Sequence, residues 1–242
     1  MAVYAISDLH LALGVDKPMD VFGGRWLNYM ERLRHSWRET VTADDYVLIP
    51  GDISWATYLE EAYKDFKYID DLPGEKIILK GNHDYWWTTL RKLDIFLKNN
   101  KLFSINFLHN NSYITDDLII CGTRGWKCPG DDDFSEDDSK IYTRELQRLQ
   151  LSLESSAKIN SNTAAAGERN IIVALHYMPF SSRREPSGFI DLMQKYNVKM
   201  CIYGHLHGEG AWKNAVNGEI EGITYRLVAA DYLDFKPVRI QV

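Results

Sequence analysis

The 242 residues include only three cysteines, Cys121, Cys128 and Cys201, too few for a disulfide framework. They also lack the Cys-x-x-Cys spacing of a zinc knuckle or redox pair, so they read as ordinary thiols of a reducing compartment. Long apolar runs are missing as well: none approaches the ~18 residues that a membrane-crossing helix needs. A strand pattern opens at Val3 and leaves no room for a signal segment, so the chain is expected in the cytoplasm, away from membranes. A basic surplus is absent too. Lys and Arg number 28 against 34 Asp and Glu, the net charge is −6, and the two signs are interspersed. Stable nucleic-acid binding is therefore not expected, and a polyanionic ligand would have to be drawn by metal. There is no internal repeat, low-complexity tract or linker. The length suits one large α/β domain, so residues 1–242 read as a single domain.

What is present centres on residues 76–84. Ile77, Ile78 and Leu79 fit a strand covered on both faces and are too few for a helix. Gly81 then makes a sharp turn into Asn82, His83 and Asp84. These offer an amide oxygen, a group titrating near neutrality, and a carboxylate able to hold the imidazole in one tautomer. A plain polar turn would use the same residue types. The pattern recurs, however: Val3 to Ile6 leads into Asp8 and His10, Tyr46 to Pro50 into Gly51-Asp52, Ile171 to Leu175 into His176, and Met200 to Tyr203 into His205 and His207. Five of the seven histidines sit in these clusters, and only His35 and His109 fall elsewhere. In an open α/β sheet, ligands gather beyond the carboxyl ends of the strands, so clusters distant in sequence can converge.

Between the clusters the chain alternates helical and strand patterns. After a loop at residues 14–24, Trp26, Leu27, Met30, Leu33, Trp37 and Val41 form one helical stripe. Thr57 with Glu60 predicts a capping box for a helix burying Leu59, Ala62, Tyr63, Phe66 and Ile69. A third helix from Thr88 or Thr89 presents Leu90, Leu93, Phe96 and Leu97. Residues 102–108, 112–115 and 118–121 read as an antiparallel meander that opens a second sheet. The stretch at about 123–170 reads as a cap-like elaboration. It has an acidic solvated loop at 131–138, a helix with Ile141, Leu146, Leu149, Leu153 and Ala157 inward, and a small polar run from Asn160 to Gly167. Ser187 is positioned to cap a helix through Ile190 and Met193, and residues 224–230 and 237–241 read as closing strands.

The clusters mix imidazole with carboxylate or amide oxygen, which suits manganese, iron or zinc better than calcium or a structural zinc site. Asp-x-His and His-x-His spacings put both side chains on one side of an extended segment, and Asp52, with two oxygens, is a natural bridge between two ions. Two divalent ions, two carboxylates and a bridging hydroxide would leave a net positive centre, fit for a phosphate ester. Trp55, Trp86, Trp87 and Trp212 follow the clusters closely and can stack a base or pack the helices behind the site, with packing favoured. Arg124 and Trp126 are candidates to touch substrate, with Arg183 and Arg184 behind them.

The ordered set Asp-x-His, Gly-Asp, Gly-Asn-His-Asp, a separate His, and Gly-His-x-His resembles the signature of the calcineurin-like metallophosphoesterase superfamily and runs from Asp8 to His207. The resemblance implies a four-layer αββα sandwich of two mixed sheets flanked by helices. It further implies one metal held by Asp8, His10, Asp52 and His207, and a second by Asp52, Asn82, His176 and His205. His83 would assist the leaving oxygen, with Asp84 orienting it. The run Gly51-Asp52-Ile53-Ser54-Trp55-Ala56 lacks the Asp-Arg pair of the phosphoprotein phosphatases and looks more like the little-characterised bacterial phosphohydrolases. The expectation is a dinuclear phosphohydrolase in which a metal-bridging hydroxide attacks a small-molecule phosphomonoester or nucleotide. A phosphodiesterase or nuclease on the same centre, or a non-catalytic scaffold of this fold, are the rival readings. No ligand of the signature is missing.

Overall fold

The computed structural model describes residues 1–162 and 169–242. From the start of the chain come β1 (Val3–Ala5), α1 (Tyr29–Thr40), β2 (Tyr46–Pro50), α2 (Tyr63–Asp70), β3 (Glu75–Leu79), α3 (Leu90–Asn100) and β4 (Ile105–Phe107). Then follow β5 (Tyr113–Ile114), β6 (Leu118–Thr123), α4 (Glu136–Asn162), β7 (Asn170–Leu175), α5 (Gly188–Lys195) and β8 (Met200–Tyr203). The last elements are α6 (Gly208–Trp212), β9 (Gly218–Ile220), β10 (Ile223–Leu227) and β11 (Val238–Ile240). The chain divides into two compact units. Unit 1 is Met1–Phe107 with Val228–Gln241, and unit 2 is Leu108–Leu227 with Val242. Each holds one mixed sheet with helices, so the protein is α/β, with the two mixed sheets that were expected. Among the described residues, no helix is long and apolar enough to cross a membrane.

In unit 1 the sheet order is β11-β1-β2-β3-β4, with β1 to β4 parallel and β11 antiparallel at the edge. The buried runs Val47 to Pro50 and Lys76 to Leu79 are nearly continuous, as strands covered on both faces require. The helix expected from Trp26 starts later. Gly24–Trp26 is a 3-10 turn, and Asn28 at φ 51° breaks the helical path, so Leu27 is exposed and Tyr29, Leu33 and Trp37 form the buried face. The expected Thr57–Glu60 box is replaced by a turn in which Glu61 accepts from the N–H groups of Thr57 and Tyr58, both at 3.1 Å. The buried face of α2 includes Asp65, Phe66 and Ile69, while Tyr63 points outward. The antiparallel meander is also corrected: β4 follows α3 as a crossover and pairs parallel with β3, leaving only β5 and β6 as a hairpin.

In unit 2 the order is β5-β6-β7-β8-β10-β9. The four inner strands are parallel, and the edge strands β5 and β9 are antiparallel. Helix α4, from the stretch read as cap-like, packs along β6 and against α5. Its most buried residues are Tyr142, Glu145, Leu149, Ser152, Leu153 and Ser156; Ala157, expected inward, is exposed. Polar groups can face this sheet because each finds a partner. Ser152 Oγ accepts from Gly122 N at 3.0 Å and donates to the Asn111 carbonyl at 2.5 Å. Residues 163–167 of the small polar run lie outside the described ones. Ser187 caps α5, its Oγ accepting from Phe189 N at 3.3 Å.

Candidate functional site

Parallel pairing brings the carboxyl ends of β1, β2 and β3 to one edge of the unit 1 sheet. Beyond β1 and β2 the two chains stay paired. Asp8 N donates to the Gly51 carbonyl at 2.9 Å, His10 N to Asp52 at 3.0 Å, and Leu11 N to Ile53 at 2.9 Å. This ladder gathers three of the singled-out side chains. Asp8 brings a carboxylate oxygen within 4.8 Å of a His10 ring nitrogen and of an Asp52 carboxylate oxygen. His10 Nε2 lies 3.8 Å from Asp52 Oδ2. Asp8, His10 and Asp52 are all buried and all sit in left-handed backbone, at φ 59°, 45° and 53°. That conformation costs a non-glycine residue roughly 1–2 kcal/mol. It persists where surroundings over-determine it, as at functional sites.

Part of that surrounding is the turn after β3. A Cβ on Gly81 would overlap the backbone N and Oδ1 of Asp52, so only glycine lets the two turns approach this closely. Asp52 Oδ1 in turn accepts from His83 N at 2.8 Å. Asp84 is fully buried and accepts from Gly81 N at 2.7 Å, Asp52 N and Ile53 N at 2.9 Å, Ser54 N at 3.3 Å and Trp86 Nε1 at 3.1 Å. Its hydrogen bonds thus go to backbone and indole, not to the His83 ring that the sequence had it orienting. What it fixes is the Asp52 turn. Burial, with the charge of Asp52 beside it, pushes this carboxyl up to about 7, while the N–H donors pull it down.

The His83 ring lies 5.8 Å from His10 and 4.5 Å from Trp55, and Trp55 stacks on His10 at 4.8 Å and 22°. Trp55 and Trp86 therefore support the cluster by packing and hydrogen bonding. Asn82 sits half-buried in the same turn. Sequence reasoning missed Asp65. Fully buried on α2, it accepts from Leu13 N at 2.7 Å and from the Ser54 hydroxyl, tying the segment after His10 to the segment after Asp52. The available signal was an acid at the position before Phe66 on an otherwise apolar helix face.

Unit 2 carries the remaining motif histidines, His176, His205 and His207, after the ends of neighbouring parallel strands. His176 follows β7 and is fully buried; its N donates to the Arg124 carbonyl at 3.0 Å, and its carbonyl accepts from Gly204 N at 3.1 Å. His205, after β8, has φ 72°, and its ring lies 5.1 Å from His176 and 4.1 Å from Tyr177. His207 is half-buried at the N-cap of α6, and Trp212 Nε1 donates to the Leu206 carbonyl at 3.1 Å, holding the turn between them. Arg124 is engaged with the buried Glu145 at 3.2 Å and lies 4.3 Å from the Trp126 ring centroid. Trp126 Nε1 donates to Asp138 at 2.8 Å. Arg183 pairs with Asp132 at 2.5 Å and Arg184 donates to the Lys213 carbonyl at 2.6 Å, so neither is a strong candidate for substrate.

In unit 1 two buried carboxylates lie close enough to repel, beside an imidazole, and a divalent cation relieves that repulsion. The donor set fits a first-row divalent metal.

Comparison with known proteins bears on the same residues. No functionally curated protein matches the chain. Among solved structures, a phosphopantetheinyl hydrolase from Mycobacterium tuberculosis is 12% identical over 99% of this chain and 95% of its own, with a TM-score of 0.52, a likeness of fold alone. A protein of unknown function from Aquifex aeolicus is 14% identical over 98% of this chain and 95% of its own, with a TM-score of 0.47. A family model described as calcineurin-like phosphoesterase matches residues 1–209, a span that takes in every motif block from Asp8 to His207. The chain belongs to the calcineurin-like phosphoesterase family, whose members are metal-dependent hydrolases of phosphoesters.

Proposed function

We propose that the protein is a dinuclear phosphohydrolase acting on a small-molecule phosphomonoester or nucleotide. Asp8, His10, Asp52 and His207 hold one divalent ion, and Asp52, Asn82, His176 and His205 hold the other. The ions are manganese, iron or zinc. The observation that carries this reading is the trio Asp8, His10 and Asp52, buried together on left-handed backbone at the strand ends. Left-handed His205 in unit 2 supports it. When bound, the metal pair supplies an activated water and neutralises charge on the phosphoryl oxygens. The protein's own groups do the rest. His83, half-buried beside His10, gives a proton to the leaving oxygen. Asp84 acts through the backbone, holding the Asp52 and Gly81 turns in register. Trp126, backed by Arg124, faces the substrate, and residues 1–242 are one metallophosphoesterase domain with a cap-like elaboration at about 123–170. Three buried free thiols, Cys121, Cys128 and Cys201, support a reducing, cytoplasmic setting.

The test is turnover with manganese supplied, on a monoester and a diester of the same alcohol. The monoester is expected to be the faster. Asp52→Asn and His207→Ala are each expected to lower turnover by ~10²-fold or more, with far-UV circular dichroism unchanged. Undiminished turnover in both variants would defeat the reading.

A further inference from the structure

Unit 2 contains a cavity of about 370 Å³ lined by His205, Leu206, Tyr177, Met178 and Trp126 among others. Its volume falls in the range of ligand pockets, ~300–1,000 Å³, at the end that suits one ring system. We propose that this cavity receives a planar aromatic group of the substrate, the aryl or base part of the ester, and so sets its specificity. The inference rests on the proposed phosphoesterase function, in which His205 is a metal ligand.

Two features carry it. The first is a row of rings leading to His205: Trp126 lies 5.1 Å from Tyr177 at 49°, and Tyr177 lies 4.1 Å from His205. The row is held in place before any ligand arrives. The indole N–H of Trp126 is fixed on Asp138 at 2.8 Å, the Arg124 guanidinium lies 4.3 Å from its ring centroid, and Tyr177 is buried. Preorganised rings lose little entropy on binding and favour offset-stacked or edge-to-face partners. A group attached to phosphate near His205 would meet Tyr177 and then Trp126.

The second feature is the charge of the rim. Asp132 pairs with Arg183 at 2.5 Å and Asp133 with Lys127 at 2.5 Å. Asp131 accepts from Cys128 N at 2.8 Å and Ser182 N at 2.6 Å. With Lys127, Arg183 and Arg124 each paired to a carboxylate and Asp131 beside them, these residues leave no positive surplus to hold a further phosphate. A polyphosphate or an acidic leaving group is therefore disfavoured, and an uncharged planar ring is accepted.

The experiment measures kcat/KM for naphthyl phosphate and glycerol phosphate in the wild type and in Trp126→Leu and Trp126→Phe. In parallel it measures dissociation constants for two nonhydrolysable analogues, naphthylmethyl phosphonate and hydroxypropyl phosphonate. Trp126→Leu is expected to lower the naphthyl preference, in turnover and in affinity, by roughly 3- to 10-fold, and Trp126→Phe to retain most of it. An unchanged preference in Trp126→Leu overturns the proposal. So do equal affinities of the wild-type protein for the two phosphonates, a result that needs no variant to fold. If neither ester is turned over but the naphthyl compound still binds preferentially through Trp126, the phosphoesterase reading fails and the aromatic pocket stands.

Discussion

At the scale of single residues, the carboxylates around Asp52 divide the labour. Asp84 holds the Asp52 turn by its backbone N–H groups, and Asp65 holds the same turn through Ser54 while reaching Leu13 on the neighbouring segment. Burial raises the Asp65 carboxyl from 3.8 to about 6, with the bonds from Ser54 and Leu13 opposing the rise. The folded protein thus binds this proton more tightly than the unfolded chain. Its stabilising contribution is fully present below pH 3.8 and is lost as pH rises to about 6. At about 1.4 kcal/mol per unit, the loss is about 3 kcal/mol. Asp65→Asn is expected to remove this fall from the pH profile, read from urea midpoints on either side of the window. Identical profiles in the two proteins would refute the assignment. Asp84 was legible in sequence because it ends a motif, but its partners were not, since four of the five are backbone groups and the fifth is an indole, all set by the fold. Asp65 belongs to no motif, and only burial reveals it.

At the scale of elements, α4 shows how polar residues can form a helix face. Glu145 is fully buried and receives Arg124 at 3.2 Å, Arg148 at 2.7 Å and the Thr123 hydroxyl at 2.6 Å. Glu145→Ala would leave the largely buried Arg124 guanidinium without its carboxylate, a loss of ~3–5 kcal/mol. Glu145→Gln, which keeps the shape and an acceptor, is expected to cost less. Urea denaturation of both variants checks the order; a Glu145→Ala protein as stable as the wild type would show that the ion network contributes nothing. Apolar periodicity found this helix but chose Ala157 over Ser152 and Ser156, because hydrophobicity alone does not count hydrogen-bond partners supplied by a neighbouring strand. The pairing of β4 was hidden for a related reason. Its residues say strand, but whether it joins β3 or β5 depends on the crossover made by α3.

At the scale of the whole molecule, the proposed centre exists only in the folded chain, because its ligands are scattered in sequence from Asp8 to His207. Metal binding by the folded chain should then raise its stability by mass action. Manganese at about 100 times its dissociation constant is expected to add ~2.7 kcal/mol over the chelator-treated protein. The gain should be lost in Asp52→Asn. Thermal unfolding with and without manganese provides the check, and a melting temperature indifferent to metal in the wild type would contradict the proposed centre.

The sequence by itself determined the family and the candidate ligands. Strand ends carrying Asp, Asn and His are local patterns, and their order along the chain is specific even where each dipeptide is not. Only the tertiary structure decided what supports them: the left-handed backbone at Asp8, His10 and Asp52, the Gly81 approach, the carboxylates of Asp84 and Asp65, and the ring-lined cavity beside His205. These depend on which distant backbone groups meet a buried side chain, and that is settled by packing rather than by any run of residues.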